Sequence, residues 1–313
     1  MKKILALLLT LVLMVGSGCG KEEAKKEQLP KIVIGIMPDV DSLPIVMAEE
    51  NGYFDAEGVK VQIEQFKSAM DRDAALQSGN LDGAVSDLLA VAFLRSGGFS
   101  VKVTSSSDGS YQLIAGKGIA AENINGIVGK DVAVSRNTII EYITDAILAK
   151  NNLKENSINK VIIPQIPTRL EMLQNGKLTA ATLPEPMASV AVNAGCKLLV
   201  SSEEIGINPG VIIFKDEVIK DKEKSIEAFY RAYNRAIEYL NTAPREEYIN
   251  VAIEKCGFPP AVKDALKLPK YRKATLPVKE DVTSTVKWLK DKSLLKEDYS
   301  YEDITSNLVN NDK

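Results

Sequence analysis

The stretch LQSGNLDGAV at 76–85 returns as LQNGKLTAAT at 173–182, 97 residues later. Both copies follow a short helical stretch and run into an apolar segment. Ser86-Asp87 closes the first copy, and Leu183-Pro184-Glu185-Pro186 closes the second. The parallel extends upstream. KIVIGI, MPDVDS and a helix correspond to DVAV, SRNT and a helix, and the strands VKVQI and KVIIP follow. Each copy therefore reads strand-helix-strand-helix-strand, a pattern that needs parallel pairing through right-handed crossovers. Two long copies make two similar lobes, whereas a solenoid stacks many short ones.

Inside the first copy, LPIVMAEENGYFDAEGVKVQI (43–63) turns tightly twice. Asp41 or Ser42 is the expected cap of a helix with Pro44 in its first turn, where a missing N–H costs nothing. Gly52 supplies the left-handed residue that ends the helix. Tyr53 and Phe54 are expected to pack back under it, and Gly58 turns the chain into VKVQI. This return leaves Met37 to Ser42 at the carboxyl end of the first strand, where open α/β sheets bind ligands. After the second copy, NPGVIIF (208–214) reads as a strand. Ile226, Phe229, Tyr230, Tyr233, Ile237 and Leu240 then form an amphipathic stripe that stops before Pro244. Further helices are expected over 245–256, 260–267 and 279–292, with Trp288 in a packing role.

The first thirty residues follow different rules. Lys2 and Lys3 precede the apolar run Ile4 to Val15, and small residues lead to Cys19, the pattern of an export signal over 1–18. The run is shorter than the roughly 20 apolar residues of a membrane span. Cys19 resembles the lipidated cysteine of bacterial lipoproteins, with Gly16 where a leucine is usual. Residues 19–30 read as a tether, with mixed Lys and Glu and no apolar face to bury. Cleavage before Cys19 removes two lysines and moves the formal charge from −3 to −5, which argues against a nucleic-acid partner. The remaining length suits two lobes better than one core. Besides Cys19 only Cys196 and Cys256 occur, without CxxC spacing, so neither a disulfide framework nor a thiolate metal site is indicated. The two are expected in different lobes, as free thiols. Histidine is absent, which removes His-dependent triads, His zinc sites and the commonest general base.

The layout resembles the solute-binding component of ABC importers of the nitrate, alkanesulfonate, taurine and thiamine-pyrimidine-precursor family. The residues that carry this are MAEENGYFDAEGVKVQI, ALQSGNLDGAVSD, VAVSRNTIIEYITDAIL, LQNGKLTAATLPEPMASVA and VKWLKDKSLL. The resemblance implies an α/β architecture of two Rossmann-like lobes joined by two crossings, the type II periplasmic-binding arrangement, with the C-terminal helices on the first lobe. It places lobe 1 at 31–112 plus 211–313 and lobe 2 at 113–210. It implies a monomeric receptor, anchored by lipid outside the cytoplasmic membrane. The receptor closes on a small molecule and hands it to permease and ATPase subunits, with no cofactor, no metal and no catalysis. Two other classes compete: a thiamine-pyrimidine-synthase-like enzyme, whose Cys-rich motif and histidine are missing here, and a surface lipoprotein that senses or adheres.

Topology selects the residues expected to face the ligand. Lobe 1 offers Met37, Asp39, Asp41, Ser42, Phe66, Ser68, Ser86, Asp87 and Ser106, and lobe 2 offers Ser135, Arg136, Asn137, Thr138 and Glu185. Relatives that take anions aim helix N-termini and basic groups at them. Here Thr138 and Glu141 read as a capping box and Pro44 removes a donor from the matching helix. Candidate carboxylates Asp39, Asp41, Asp87 and Glu185 outnumber the basic groups Arg136 and Lys67. The balance points to a nitrogen heterocycle such as a pyrimidine, with Phe66 or Tyr111 for stacking; a sulfonate, taurine or nitrate is the alternative.

The anchor is directly testable. Cys19→Ser should release the protein from the membrane or leave it unprocessed, as read by fractionation and mass of the N-terminus. Normal cleavage with unchanged membrane retention would count against lipidation.

Overall fold

The computed structural model describes residues 28–119 and 121–310. The export signal, Cys19 and most of the tether lie outside the described residues. Leu29 and Pro30, expected in the tether, instead open the first strand, where the Leu29 amide donates to the Gly58 carbonyl at 2.9 Å.

Ten strands form two five-stranded sheets. They are β1 (Leu29–Ile36), β2 (Val59–Gln65), β3 (Gly83–Asp87), β4 (Val101–Ser106), β5 (Tyr111–Ala115), β6 (Asp131–Val134), β7 (Asn159–Ile162), β8 (Ala180–Pro184), β9 (Lys197–Ser201) and β10 (Gly210–Lys215). The first sheet has the order β2-β1-β3-β10-β4 and the second β7-β6-β8-β5-β9. In each, four strands run in one direction and the fourth in spatial order lies antiparallel between the third and the last. That fourth strand is the one on which the chain arrives after crossing: β5 in the second sheet and β10 in the first.

The helices around the first sheet are α1 (Leu43–Glu50), α2 (Tyr53–Glu57), α3 (Ala69–Gln77) and α4 (Leu88–Ser96). Around the second lie α5 (Ile139–Lys150), α6 (Ile166–Gln174) and α7 (Met187–Asn193). The sequence repeat is an exact structural repeat at its centre: α6 and β8 are α3 and β3 displaced by 97 residues, end for end. After β10 come α8 (Asp216–Asp221), α9 (Glu223–Leu240), α10 (Arg245–Lys255), α11 (Val262–Ala265), α12 (Lys279–Asp291) and α13 (Tyr301–Ile304). The α9 stripe expected from the sequence is buried throughout, and the helix packs on α1, α2 and β1. Phe54 is buried in the same core cluster as the apolar residues of α1 and also stacks on Phe229 of α9, ring centroids 5.4 Å apart.

The crossings occupy residues 107–110 and 202–209. Tyr111 and Gln112 therefore belong to the second sheet and Gly210 to the first, against the expected divisions at 112/113 and 210/211. The crossings are bonded to each other: the Asn208 side chain donates to the Ser107 carbonyl (2.7 Å), and the Ser107 amide donates to the Gly210 carbonyl (3.0 Å). Cys196, beside the second sheet, and Cys256, at the end of α10, are buried free thiols.

A second junction lies away from the crossings. Lys292, just past α12, meets Asp145 of α5 at 2.9 Å and also pairs with Glu155 and, at 3.8 Å, with Glu141. Lys160 holds the same two α5 carboxylates at 2.6 and 2.8 Å. Trp288 packs edge-on against Tyr142 and donates its indole N–H to Asp145. Burial alone would lower the Lys292 ammonium, but the bonds to Glu155 and Asp145 outweigh it and raise it. Removing one partner of such a half-buried network leaves excess negative charge on α5. Lys292→Met should therefore cost about 1–2 kcal/mol of stability by denaturant titration, discounted for partial exposure. Adding Asp145→Asn should recover part of that loss, and simple additivity would show that the pair is uncoupled.

Candidate functional site

The carboxyl ends of β1 and β3 face those of β6 and β8 across a narrow cavity of about 470 Å³ of empty space, mouth included. Backbone bonds between the lobes close it: the Ile166 amide donates to the Lys67 carbonyl (3.1 Å), and the Val40 amide to the Glu185 carbonyl (3.0 Å).

Seven of the fourteen expected residues line this cavity: Met37, Asp39, Asp41, Ser86, Asp87, Ser135 and Thr138. The other seven do not, each for a local reason. Ser42 is fully buried, donates to Asp39 Oδ1 (2.8 Å) and receives the Met37 amide. Phe66 packs beside Gly35, and Ser68 caps α3 by accepting the Asp71 amide. Ser106 is tied to the Thr275 carbonyl in the C-terminal segment. Arg136 is exposed. Asn137 has φ +57° and gives its amide to Glu141. Glu185 turns into its own lobe, where Ser189 and Gln112 bind its carboxylate. Glu141 likewise points away, to Lys160, so it does not place a carboxylate in the cavity.

The cap of the 43–63 stretch also differs from expectation. Asp39, not Asp41 or Ser42, accepts the Ser42 amide and holds a 3-10 turn over Val40–Ser42 that feeds α1. Asp41 is thereby free to reach the first crossing, where Ser107 Oγ and the Tyr111 hydroxyl donate to its two oxygens. A side chain at Gly109 would overlap that carboxyl, and one at Gly210 would come within 2.7 Å of Ser107 Oγ.

Two residues that the strand-end rule missed dominate the electrostatics. Arg72 and Arg169 both line the cavity and are 3% and 0% exposed. They lie one turn inside helices, so a search of loops passes over them. The signal was nevertheless present: the two copies align as RDAALQSGNL and RLEMLQNGKL, and 97 residues separate the arginines.

The equivalence ends with their partners. Arg72 pairs with Asp73 (2.8 Å), faces Asp87 (3.9 Å) and donates to the Val85 carbonyl. At the positions equivalent to Asp73 and Asp87 the second copy has Leu170 and Pro184. Arg169 donates through Nη1 to the carbonyls of Ile163 and Pro164, while Nε and Nη2 are buried without a partner among the described residues. Burial pulls its guanidinium down to about 9. It remains a cation at neutral pH, and the remaining lining beside it is mainly apolar: Ile139, Ile140, Pro164 and Ile166.

The acid side behaves differently. Burial pushes Asp39 up to about 6, against its bonds from Ser42 and the field of Arg72. Burial and then neighbouring Asp39 push Asp41 well above the carboxylate range, and burial also raises Asp87 despite Arg72. The sequence count of charges is thus corrected. Arg136 and Lys67 are exposed and Glu185 is turned away, so the cavity has Asp39, Asp41 and Asp87 against Arg72 and Arg169.

Comparison with known proteins places this geometry in company. The family model described as NMT1/THI5 like matches residues 39–247. The putative aliphatic sulfonates-binding protein of Bacillus subtilis is 25% identical over 255 residues, covering 77% of this chain and 76% of that protein. The ligand-binding component of an ABC-type import system from Staphylococcus aureus, solved with zinc bound, superimposes with TM-score 0.77 at 15% identity. That match covers 90% of this chain and 99% of the other. The alkanesulfonate-binding protein of Xanthomonas axonopodis pv. citri, bound to MOPS, gives TM-score 0.73 at 16% identity, covering 87% and 96%.

The buried acid makes a prediction about the ligand-free protein. Between its ordinary value of 3.8 and about 6, Asp39 holds a proton in the folded state that the unfolded chain has released. Its contribution to stability therefore falls as pH rises through that interval. Asp39→Asn retains an oxygen to cap the turn and removes the desolvated charge. At pH 7 it should stabilise the empty protein by about 1–3 kcal/mol, with the gain vanishing toward pH 4. Melting curves across that range decide it; a variant less stable than the wild type at pH 7 would contradict the assignment.

Proposed function

The chain belongs to the NMT1/THI5-like family, and from that premise we propose that it is the exported solute-binding component of an ABC importer, closing on a small anionic solute. The names of its relatives support the transport role. A lipid anchor at Cys19 and delivery to permease and ATPase subunits belong to the same reading.

The anionic character rests on one observation. Arg169 lines the cavity and has two buried N–H-bearing nitrogens without a partner among the described residues, in the copy of the repeat that lacks both carboxylates. An unpaired buried guanidinium is costly, and a sulfonate or carboxylate supplies the missing acceptors in a geometry that a planar fork matches. This moves the ligand from the nitrogen heterocycle expected from the sequence toward the sulfonate alternative, the class named for two of the relatives. The apolar lining from α5 and α6 suits a short aliphatic body.

Arg169→Gln tests this by calorimetry with ethanesulfonate and propanesulfonate. The substitution removes a charge that burial disfavours, so the empty protein should melt no lower than the wild type. Sulfonate affinity should fall at least about thirtyfold, as expected when a desolvated charged partner is lost. Arg136→Ala, at the exposed arginine, should leave affinity within about twofold. Equal affinity in the Arg169 variant would refute the anion site.

A further inference from the structure

We propose that Asp41 is a positioning residue that holds the two lobes shut, rather than a contact of the solute. The inference rests on the reading that the lobes close, and is independent of the charge of the solute. Asp41 belongs to the 3-10 turn that follows β1 and is 2% exposed. Three alternate residues, running from the first crossing into β5, meet its carboxyl. Ser107 Oγ donates to Oδ1, the Tyr111 hydroxyl donates to Oδ2 (3.4 Å), and a side chain at Gly109 would overlap the group. Asp108, between them, is bound to Arg272 instead.

The two hydroxyls belong to different bodies. Ser107 lies in the crossing itself, where its amide also binds the Gly210 carbonyl. Tyr111 opens β5 and pairs with Pro184 of β8, so it moves with the second sheet. Backbone bonds complete a ring through the same residues: the Val40 amide donates to the Glu185 carbonyl (3.0 Å), and the Glu185 amide to the Ser110 carbonyl (2.9 Å). The turn after β1, the first crossing and the end of β8 are thereby tied together around one carboxyl.

Rotation of the second sheet away from the first draws the Tyr111 hydroxyl off Asp41. A carboxyl enclosed by Ser107 and Gly109 that loses its second hydroxyl is left short of a partner, which is costly in a buried place. The protonation state does not remove that need. Ionised, the carboxyl accepts from both hydroxyls; protonated, it donates to one and accepts from the other. The closed arrangement, with both hydroxyls in place, is favoured over a slightly opened one.

The Ile166 amide reports closure without any solute. It stands at the start of α6, where its bond goes across the lobes to Lys67 rather than into its own helix. Hydrogen exchange of the solute-free protein, resolved to single amides by NMR, should find it protected in the wild type. Tyr111→Phe removes one hydroxyl and keeps the ring, and it should speed exchange at Ile166 at least about fivefold. The strand amides of Ile34 and Ala133 should stay within about twofold. Asp41→Ala should do the same, and adding Tyr111→Phe to it should have no further effect, because the partner is already gone. Unchanged exchange at Ile166 in Tyr111→Phe, strand amides that speed up equally, or losses that add in the double variant would each overturn the inference. So would an Ile166 amide already unprotected in the wild type. None of these outcomes bears on the anion site, which the Arg169→Gln calorimetry decides separately.

Discussion

Each sheet is completed by a strand that the chain supplies only after leaving the other lobe. β10 lies between β3 and β4, so the first sheet has a gap until the second lobe has been built and the chain has returned. β5 fills the same place in the second sheet and is the first strand after the first crossing. Buried strands in such a sheet need partners for every amide and carbonyl. The inserted strand is therefore obligatory, and both crossings are fixed beside each other where β4, β5, β9 and β10 end. The two lobes keep separate sheets, and their facing carboxyl edges enclose the cavity.

That arrangement explains the glycines where the two crossings meet. Gly109 and Gly210 leave room for the Asp41 carboxyl and Ser107 Oγ to meet across the junction. Asp108 in the first crossing takes a forked pair of bonds from the Arg272 guanidinium as well as the Arg272 amide, which anchors it to the C-terminal segment. At the far side, the Lys292 and Trp288 contacts tie α12 to α5, which is capped by Thr138 in the cavity wall. Glu141 joins the two, since it binds both Lys160 and the amide of Asn137 in the cavity loop. The cavity wall of the second lobe is thus bonded to the segment around α12, which follows the first sheet in the chain.

Duplication with divergence gives the cavity its polarity. Both copies retain an arginine one turn into the helix that precedes their third strand. The first copy retains the acids that neutralise it, and the second replaces them with Leu170 and Pro184. A guanidinium and a carboxylate held together attract no further ion strongly, whereas one buried among apolar residues is a standing demand for an acceptor.

Much of this was legible in the sequence. The 97-residue repeat gave two lobes, the strand at 208–214 gave the return to the first, and the strand-end rule found Met37, Asp39, Asp41, Ser86, Asp87, Ser135 and Thr138. Periodicity and turn chemistry are local, and these features depend on local chemistry. What failed was the charge balance, because Arg136 and Lys67 sit in loops near the cleft yet point to solvent, while Arg72 and Arg169 read as ordinary polar positions of helices. Direction and desolvation are not local properties. Only the packing of α3 and α6 against the strand ends decided that these two arginines are buried, that one is paired with a carboxylate and that the other, among the described residues, is not.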